Sequence, residues 1–191
     1  MTTKIISPTL NDIAAMPMPS IIKIAQLGAK VLRLQAQPIT DVHSTETSEL
    51  IKQLQDTLAA TEGVGIAAPQ ISISKQVIIV ASRPTLRYPL APEMEPTVMI
   101  NPSFTALSET KEKDWEGCLS IPSIRARVPR YKKIQVKYLD QLGTAVDVIL
   151  EDFVARVFQH EFDHLQGKVY LDRLESNDDI YSESEYLLVI K

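Results

Sequence analysis

The spacing of apolar residues predicts a helix over 45–61. Its apolar positions recur every three or four residues, which is the spacing of one helix face; they are Leu50, Ile51, Leu54 and Leu58. Ser44, Thr45 or Thr47 can cap the start of this helix, and Gly63 is expected to end it. Between 21 and 34 short apolar groups alternate with Lys and Arg, and this pattern does not decide between helix and strand.

Shorter apolar runs predict strands further along the chain. The run 77–81 (VIIVA) is typical of a buried strand, 82–96 carries four prolines and is predicted to be a loop, and 97–100 (TVMI) resumes extended structure. Apolar and polar residues then alternate in two segments, at Ile134, Val136 and Tyr138 and at Val146, Val148 and Leu150. Because the turn-forming sequence DQLG lies between them at 140–143, they are predicted to form an antiparallel hairpin.

Helical spacing returns over 153–167, where Gly167 is the expected terminator. The apolar positions of this second helix are Val154, Val157, Phe158 and Leu165. The tail 175–191 is acidic and ends in LLVI, a predicted closing strand, while 1–20 is expected to be a peripheral arm. Strands, a hairpin and helices together predict a single α+β catalytic domain spanning 1–191.

Composition and charge narrow the class of protein. A chain of 191 residues with 45% apolar and 23% charged residues is typical of one soluble globular domain. The net charge of −4 argues against DNA as a partner, because duplex binding relies on a basic face. Cys118 is the single cysteine, so an intramolecular disulfide is excluded. With no signal peptide and no apolar run of about 18 residues, the expected location is the cytoplasm and not a membrane.

The second predicted helix contains His160-Glu161-Phe162-Asp163-His164, an HExxH pattern. Side chains four residues apart lie on the same helix face, so the two imidazoles converge on one point. A divalent metal accepts two such nitrogens, and the intervening Glu161 can reach a water on that metal. The alternative is a surface helix with two solvated histidines, although the chain has three histidines in all.

A catalytic metal needs a third protein ligand, and the residue pattern leaves its identity open. After His164 the chain offers no further His or Cys; the downstream candidates are Asp172, Glu175, Asp178 and Asp179. The upstream candidate is Cys118, although a lone cysteine is more often a small buried apolar residue.

Three segments resemble, in the same order, the signature motifs of peptide deformylases. They are 63–70 (GVGIAAPQ), 116–120 (EGCLS) and 159–164 (QHEFDH), and the similarity runs from about Ile22 to Leu174. The resemblance implies antiparallel sheets packed around a central metal-binding helix that carries HExxH. It also implies removal of the N-formyl group from the N-terminal methionine of newly synthesised polypeptides, in a bacterial-type cytoplasm.

The same resemblance implies roles for individual residues. Cys118, His160 and His164 would hold one divalent metal ion, with water as the fourth ligand. Ferrous iron would be the native metal, which zinc, nickel or cobalt can replace. Glu161 would act as general base and acid.

The resemblance further implies that the Gln70 side chain and the main-chain N–H of Leu119 stabilise the oxyanion. For the substrate, glycines without side chains would let a peptide backbone come close, and a side-chain pocket would accept methionine. The residues expected to bind substrate are Gly63, Val64, Gly65, Gly117, Phe153 and Val157.

Arg156 departs from the apolar residue expected beside such a pocket, so its stem is expected to pack while its head reaches solvent. The resemblance suggests that Glu116 and Arg130 form an ion pair that orients the segment carrying Cys118; the alternative is two unrelated surface charges. The other expectations concern single residues: Asp163 pairs with Arg173 or solvent, Trp115 lines the site or packs, and His43 is a surface residue.

The acidic tail is unsuited to binding RNA phosphates, so docking on the ribosome through it is not expected. Two other functions compete with deformylation. A zinc endopeptidase shares the HExxH pattern but needs a downstream ligand. A non-enzymatic metal-binding module leaves Glu161 and Gln70 without a role.

Overall fold

The computed structural model describes residues 22–85 and 88–190. Within these ranges lie three α-helices: α1 (Thr45–Ala59), α2 (Asp152–Leu165) and α3 (Glu183–Val189). The strands are β1 (Gly65–Ala67), β2 (Val77–Ser82), β3 (Met94–Ala106), β4 (Lys111–Cys118), β5 (Ile121–Tyr131), β6 (Lys133–Leu139), β7 (Ala145–Glu151) and β8 (Ile180–Ser182). Short 3₁₀-helices occupy Lys30–Arg33, Ala68–Ile71, Tyr170–Arg173 and Asn177–Asp179.

The strands form two antiparallel sheets with the helix α2 between them. One sheet has five strands in the order β1-β2-β3-β6-β7, and the other has three in the order β4-β5-β8. Every strand pair is antiparallel. The α+β architecture with antiparallel sheets around the HExxH helix is therefore confirmed.

The strand β2 is buried on both faces, which explains its unbroken apolar sequence. Ile78 and Val80 pack with Phe158 of α2 in one core cluster. Their neighbours on the opposite face, including Val77 and Ile79, pack with α1 in a second cluster. The five-stranded sheet is thus sandwiched between the two long helices, and α2 is fixed by a fully buried face.

The predicted hairpin is confirmed as β6 and β7. The alternating residues face one another directly, in the pairs Ile134–Leu150, Val136–Val148 and Tyr138–Val146. Gly143 in the connecting turn has φ 76°, a conformation that glycine adopts without strain. The turn is further held by the Asp140 carboxylate, which accepts hydrogen bonds from the main chain of the turn.

Both predicted long helices are confirmed, but one of their predicted ends is wrong. Ser44 caps α1 by accepting a hydrogen bond from the Thr47 N–H at 3.1 Å, and Gly167, with φ 67°, follows the end of α2. Gly63 does not terminate α1, because the helix ends at Ala59 and its C-cap residue is Ala60.

The predicted proline-rich loop is shorter than expected, because β3 already begins at Met94. Pro96 is accommodated where the register between β2 and β3 shifts, between Val80 and Ser82 on the partner strand. A residue without an N–H is tolerated at such an irregularity. The connection that remains leads from the first sheet toward the cavity described below.

The predicted closing strand at 187–190 is wrong. These residues belong largely to α3, whose start is capped by Ser182 accepting from the Glu185 N–H at 3.3 Å. The cap and the acidic first turn favour a helix there, and the short strand β8 precedes it and pairs with β5. The predicted arm 1–20 lies outside the described residues.

Candidate active site

The helix α2 brings His160 and His164 to the junction of the two sheets. Their rings lie one helical turn apart, with centroids separated by 5.3 Å. His164 is fully buried and His160 nearly so, which excludes the alternative of two solvated histidines. The opposite face of the helix packs into the sheet core through Phe158 and Leu165.

Cys118, at the end of β4, completes a cluster of three candidate ligands. Its sulfur lies 3.4 Å from Nε2 of His164, and the candidate ligand atoms of Cys118, His160 and His164 all lie within 4.8 Å of one another. Burial raises the pKa of the thiol, but His164 and His160 outweigh it and hold the pKa well below its usual range. The thiolate is the form that binds metals.

The downstream acidic candidates are occupied elsewhere. Asp172 pairs with Arg33 and accepts from the Val169 N–H. Glu175 and Asp179 both pair with Lys113, and Asp178 is exposed. In the described part of the chain, Cys118 is thus the third member of the candidate ligand cluster.

The donor set fits one divalent metal ion. A tetrahedral ion bound at about 2.0–2.3 Å separates its ligand atoms by roughly 3.3–3.8 Å, and the contact between Cys118 Sγ and His164 Nε2 falls in that range. His160 directs Nδ1 to Oε2 of Glu116 at 2.9 Å. A carboxylate behind the imidazole is the usual support of a metal-binding histidine, because it leaves Nε2 for the metal.

Glu116 is the centre of a buried ionic network, and its predicted pair with Arg130 is confirmed. Arg130 binds both carboxylate oxygens of Glu116, at 2.9 and 3.0 Å, and also binds Asp163 at 2.6 Å. Burial raises the pKa of Glu116, but the charge of Arg130 and the hydrogen bond from His160 leave that pKa well below its usual range. The predicted pair of Asp163 with Arg173 is also present.

The expectation that the guanidinium of Arg156 reaches solvent is wrong. The side chain is buried, and its guanidinium donates to Oε1 of Glu116 at 2.9 Å and to the Val128 carbonyl at 2.7 Å. The head group is held between helix and sheet because it finds acceptors there that outweigh the loss of water. His43, as expected, is exposed.

Glu161 lies beside the cluster with one oxygen unused. Its Oε2 is buried and has no hydrogen-bond partner in the structure. Burial raises the pKa of this carboxyl to about 7, against the opposing charges of His160 and His164. A buried carboxylate oxygen without a partner is suited to receive a proton from a water or a substrate.

Gly65 and Gly117 lie directly against neighbouring side chains of the protein. A Cβ on Gly65 would lie 2.5 Å from Oε1 of Glu161, and a Cβ on Gly117 would lie 1.7 Å from Nη1 of Arg125. The missing side chains make room for groups of the protein itself, and the expected approach of a substrate backbone stays a prediction.

Gln70 is fixed with its amide nitrogen toward the cluster. Its Oε1 accepts from the Ala67 N–H at 2.8 Å, so the side chain cannot turn freely. Its Nε2 lies 3.5 Å from the Cys118 sulfur and 3.3 Å from the Ser120 hydroxyl. Leu119 follows the sulfur ligand directly in the chain, which places its main chain at the same edge of the cluster.

A cavity of about 430 Å³ opens onto this cluster. Its wall includes every residue predicted to bind substrate: Gly63, Val64, Gly65, Gly117, Phe153 and Val157. Glu161, Gln70 and Leu119 line it as well. The structure thus brings the predicted substrate and oxyanion residues together around one opening.

Two wall residues had no signal in the sequence pattern. Tyr88, in the proline-rich connection, packs on Phe153 with ring centroids 4.6 Å apart and donates to the Trp115 carbonyl at 3.0 Å. Arg125 of β5 pairs with Glu183 of α3 at 2.8 Å. Trp115 both lines the cavity and packs, because its ring contacts aromatic rings of the C-terminal segment.

Among the described residues, no helix has the length and apolar character needed to cross a membrane.

Comparisons with known proteins agree with the arrangement. The family model described as polypeptide deformylase matches residues 21–179. A peptide deformylase 2 of Nostoc sp. is 49% identical over 88% of this chain and 94% of its own length. The fold is similar to a class I type b peptide deformylase from Acinetobacter baumannii with Met-Ala-Ser bound, at TM-score 0.79 and 42% identity over 82% of this chain and all of that one. A peptide deformylase from Thermotoga maritima matches at TM-score 0.72 and 35% identity, over 82% and 99% of the two chains.

Proposed function

Since this chain belongs to the polypeptide deformylase family, we propose that it is a metal-dependent hydrolase that removes the N-formyl group from new polypeptides and releases formate. The observation that carries the proposal is the meeting of Cys118 with His160 and His164 beside the unpartnered carboxylate of Glu161. The substrate is the N-formyl-Met end of a nascent chain, processed in the cytoplasm.

Cys118, His160 and His164 hold the metal, for which we propose ferrous iron, with zinc, nickel or cobalt as replacements. Such an ion lowers the pKa of a water and polarises the formyl carbonyl. The thiolate and the two imidazoles would supply three protein ligands, the number that is typical of catalytic metal sites.

Glu161 moves the proton in the proposed reaction. Its Oε2 accepts the proton of the attacking water and then delivers it to the nitrogen of the leaving amine, so the carboxylate is restored at the end of the cycle. Burial of this carboxyl raises its pKa from the ordinary range, which suits both steps, because a proton moves easily in both directions when the pKa of the carrier lies near the working pH.

The oxyanion is stabilised by two donors at the cluster edge. Gln70 presents its Nε2, which the bond from the Ala67 N–H to Oε1 keeps in place, and Leu119 presents its main-chain N–H. Fixed donors of this kind are worth about 2.7–4 kcal/mol each in barrier height, because they need no reorganisation when the charge develops.

The methionine side chain enters the cavity against Val64, Phe153 and Val157, which line it. The volume of the cavity is in the range of about 300–1,000 Å³ that is typical of small-ligand sites. The similarity to the Acinetobacter baumannii structure with Met-Ala-Ser bound supports this assignment. We do not expect ribosome docking through the tail, which has five acidic residues against Lys191 over 175–191.

Formate release tests the proposed function. The chain is purified anaerobically, its metal is measured, and N-formyl-Met-Ala-Ser is compared with acetyl-Met-Ala-Ser and with an internally cleavable peptide. We expect formate from the formylated peptide alone, loss of activity after chelation, and recovery with Fe(II). Cleavage of the internal peptide bond would instead indicate an endopeptidase, and metal binding without any hydrolysis would indicate a binding module.

Gly65→Ala is expected to lower kcat for formate release by about 10²-fold, because its Cβ would displace the Glu161 carboxyl and small misplacements are costly in catalysis. Metal content should not change. Gly143→Ala is the matched control: it strains a turn at φ 76° in the β6–β7 hairpin, and should lower the melting temperature with kcat intact. Equal kcat values for Gly65→Ala and Gly143→Ala would contradict a role in catalysis for the close contact between Gly65 and Glu161.

A further inference from the structure

Arg156 is a buried arginine that the proposed reaction leaves without a role. It lies on α2, about one turn before His160, and is 7% exposed. Besides Glu116, its guanidinium donates to the carbonyls of Val128, at 2.7 Å, and Glu112, at 2.7 Å. The side chain therefore reaches the point where α2, β4 and β5 meet.

The carboxylate that supports His160 receives four donors. Its Oε2 contacts His160 Nδ1 at 2.9 Å and Arg130 Nη2 at 3.0 Å. Its Oε1 contacts Arg130 Nε and Arg156 Nη1, both at 2.9 Å. Arg130 is divided between this carboxylate and Asp163, whereas the ion pair of Arg156 among the described residues is with Glu116.

We infer that Arg156 is a positioning residue for the metal ligand His160, acting through Glu116. With a second guanidinium on Oε1, the carboxylate cannot rotate about the Arg130 fork, so Oε2 stays directed at His160 Nδ1. The imidazole is thereby oriented toward the metal before the metal arrives. This inference rests on the proposed function only in that it uses the same metal site.

The alternative to a positioning role is a purely structural role of Arg156. Arg156 also connects α2 to β4 and β5 through carbonyl oxygens, and a purely structural residue would affect the free energy of unfolding without changing how the metal is held. Supports behind a metal-binding histidine typically change metal affinity by about 10–100-fold when removed. Metal release therefore distinguishes the two roles, since it needs no substrate.

The test measures how fast a chelator removes Co(II) from the loaded full-length protein, well below its melting temperature. Arg156→Leu is expected to release Co(II) about 10–100-fold faster than the unmodified chain, with a changed visible spectrum of the ion. Arg156→Lys keeps the charge but lacks the planar fork, so its rate of Co(II) release should lie between those of the unmodified chain and Arg156→Leu. Phe158→Leu is the structural control, because Phe158 is buried on the same helix and packs on Phe104.

Release from Arg156→Leu at the rate of the unmodified chain, or an equally accelerated release from Phe158→Leu, would overturn the inference. If Arg156→Leu does not fold, an unchanged release rate in Arg156→Lys overturns it. Formate release by the unmodified chain tests the proposed function separately. If the unmodified chain has no deformylase activity but Arg156→Leu still releases Co(II) faster, the proposed function is wrong and the role of Arg156 stands.

Discussion

Glu161→Gln is expected to lower kcat for formate release from N-formyl-Met-Ala-Ser by about 10²–10⁴-fold, because the amide can neither accept nor return the proton. The metal content should remain at that of the unmodified chain, since Glu161 is not part of the ligand cluster. Steady-state kinetics with metal analysis of the same sample measures both. A variant that loses its metal together with its activity would place Glu161 among the ligands.

The stability of Glu161→Gln shows whether its activity is lost because the proton carrier is missing or because the protein no longer folds. Because burial raises the pKa of Glu161 to about 7, the folded metal-free protein binds a proton that the unfolded chain releases above its ordinary pKa. The stability of the metal-free chain therefore falls between about pH 4.5 and 7 on this account. Glutamine removes that loss, so metal-free Glu161→Gln should melt no lower than the unmodified chain at pH 8. A lower melting temperature would show that the carboxylate has a structural partner.

Glu116→Gln is expected to destabilise the protein most. It removes the anion from between Arg130 and Arg156, which are both buried, and leaves two buried guanidinium groups short of a counter-charge. Breaking a buried ion pair in this way costs about 3–5 kcal/mol, which lowers the melting temperature by roughly 10 °C in a domain of this size. Denaturant and thermal unfolding measure the loss.

The dependence of stability on acidic pH is a second measurement on Glu116→Gln. The pKa of Glu116 is lowered by folding, so the stabilisation from its charge is complete above the ordinary carboxyl pKa and is lost as the pH falls below it toward the folded pKa. Glu116→Gln should remove about one proton from the slope of stability against pH below about pH 4.5. Glu112→Gln on the same strand is the control, since its pair with Lys132 is exposed, and it should leave the melting temperature and the slope unchanged.

The sequence predicted those parts of the fold whose spacing is set by burial. The two helices and the β6–β7 hairpin show their period because one face of each packs into a core. The strand β4 (KEKDWEGC) shows no such period, because its charged residues are balanced by opposite charges from other segments, such as Lys113 by Asp179 and Glu116 by Arg130. Tertiary ion pairs of this kind are invisible to local patterns.

The candidate site was predictable where chemistry dictates spacing, and not elsewhere. The HExxH pair is a property of one helix, and Cys118 was found through a resemblance of motifs. Tyr88 reaches the cavity from a connection and Arg125 from the central strand of the three-stranded sheet, and no periodicity marks either residue as part of a site. The helix α3 was missed because the cap at Ser182 overrides the β-forming tendency of the apolar residues at its end.

The most direct test is X-ray absorption at the metal edge of the zinc-loaded chain. The geometry predicts one sulfur at about 2.3 Å together with nitrogen or oxygen ligands at about 2.0–2.1 Å, and loss of the sulfur signal in Cys118→Ser. A coordination shell without sulfur in the unmodified chain, or an unchanged shell in Cys118→Ser, would contradict a metal held jointly by Cys118, His160 and His164.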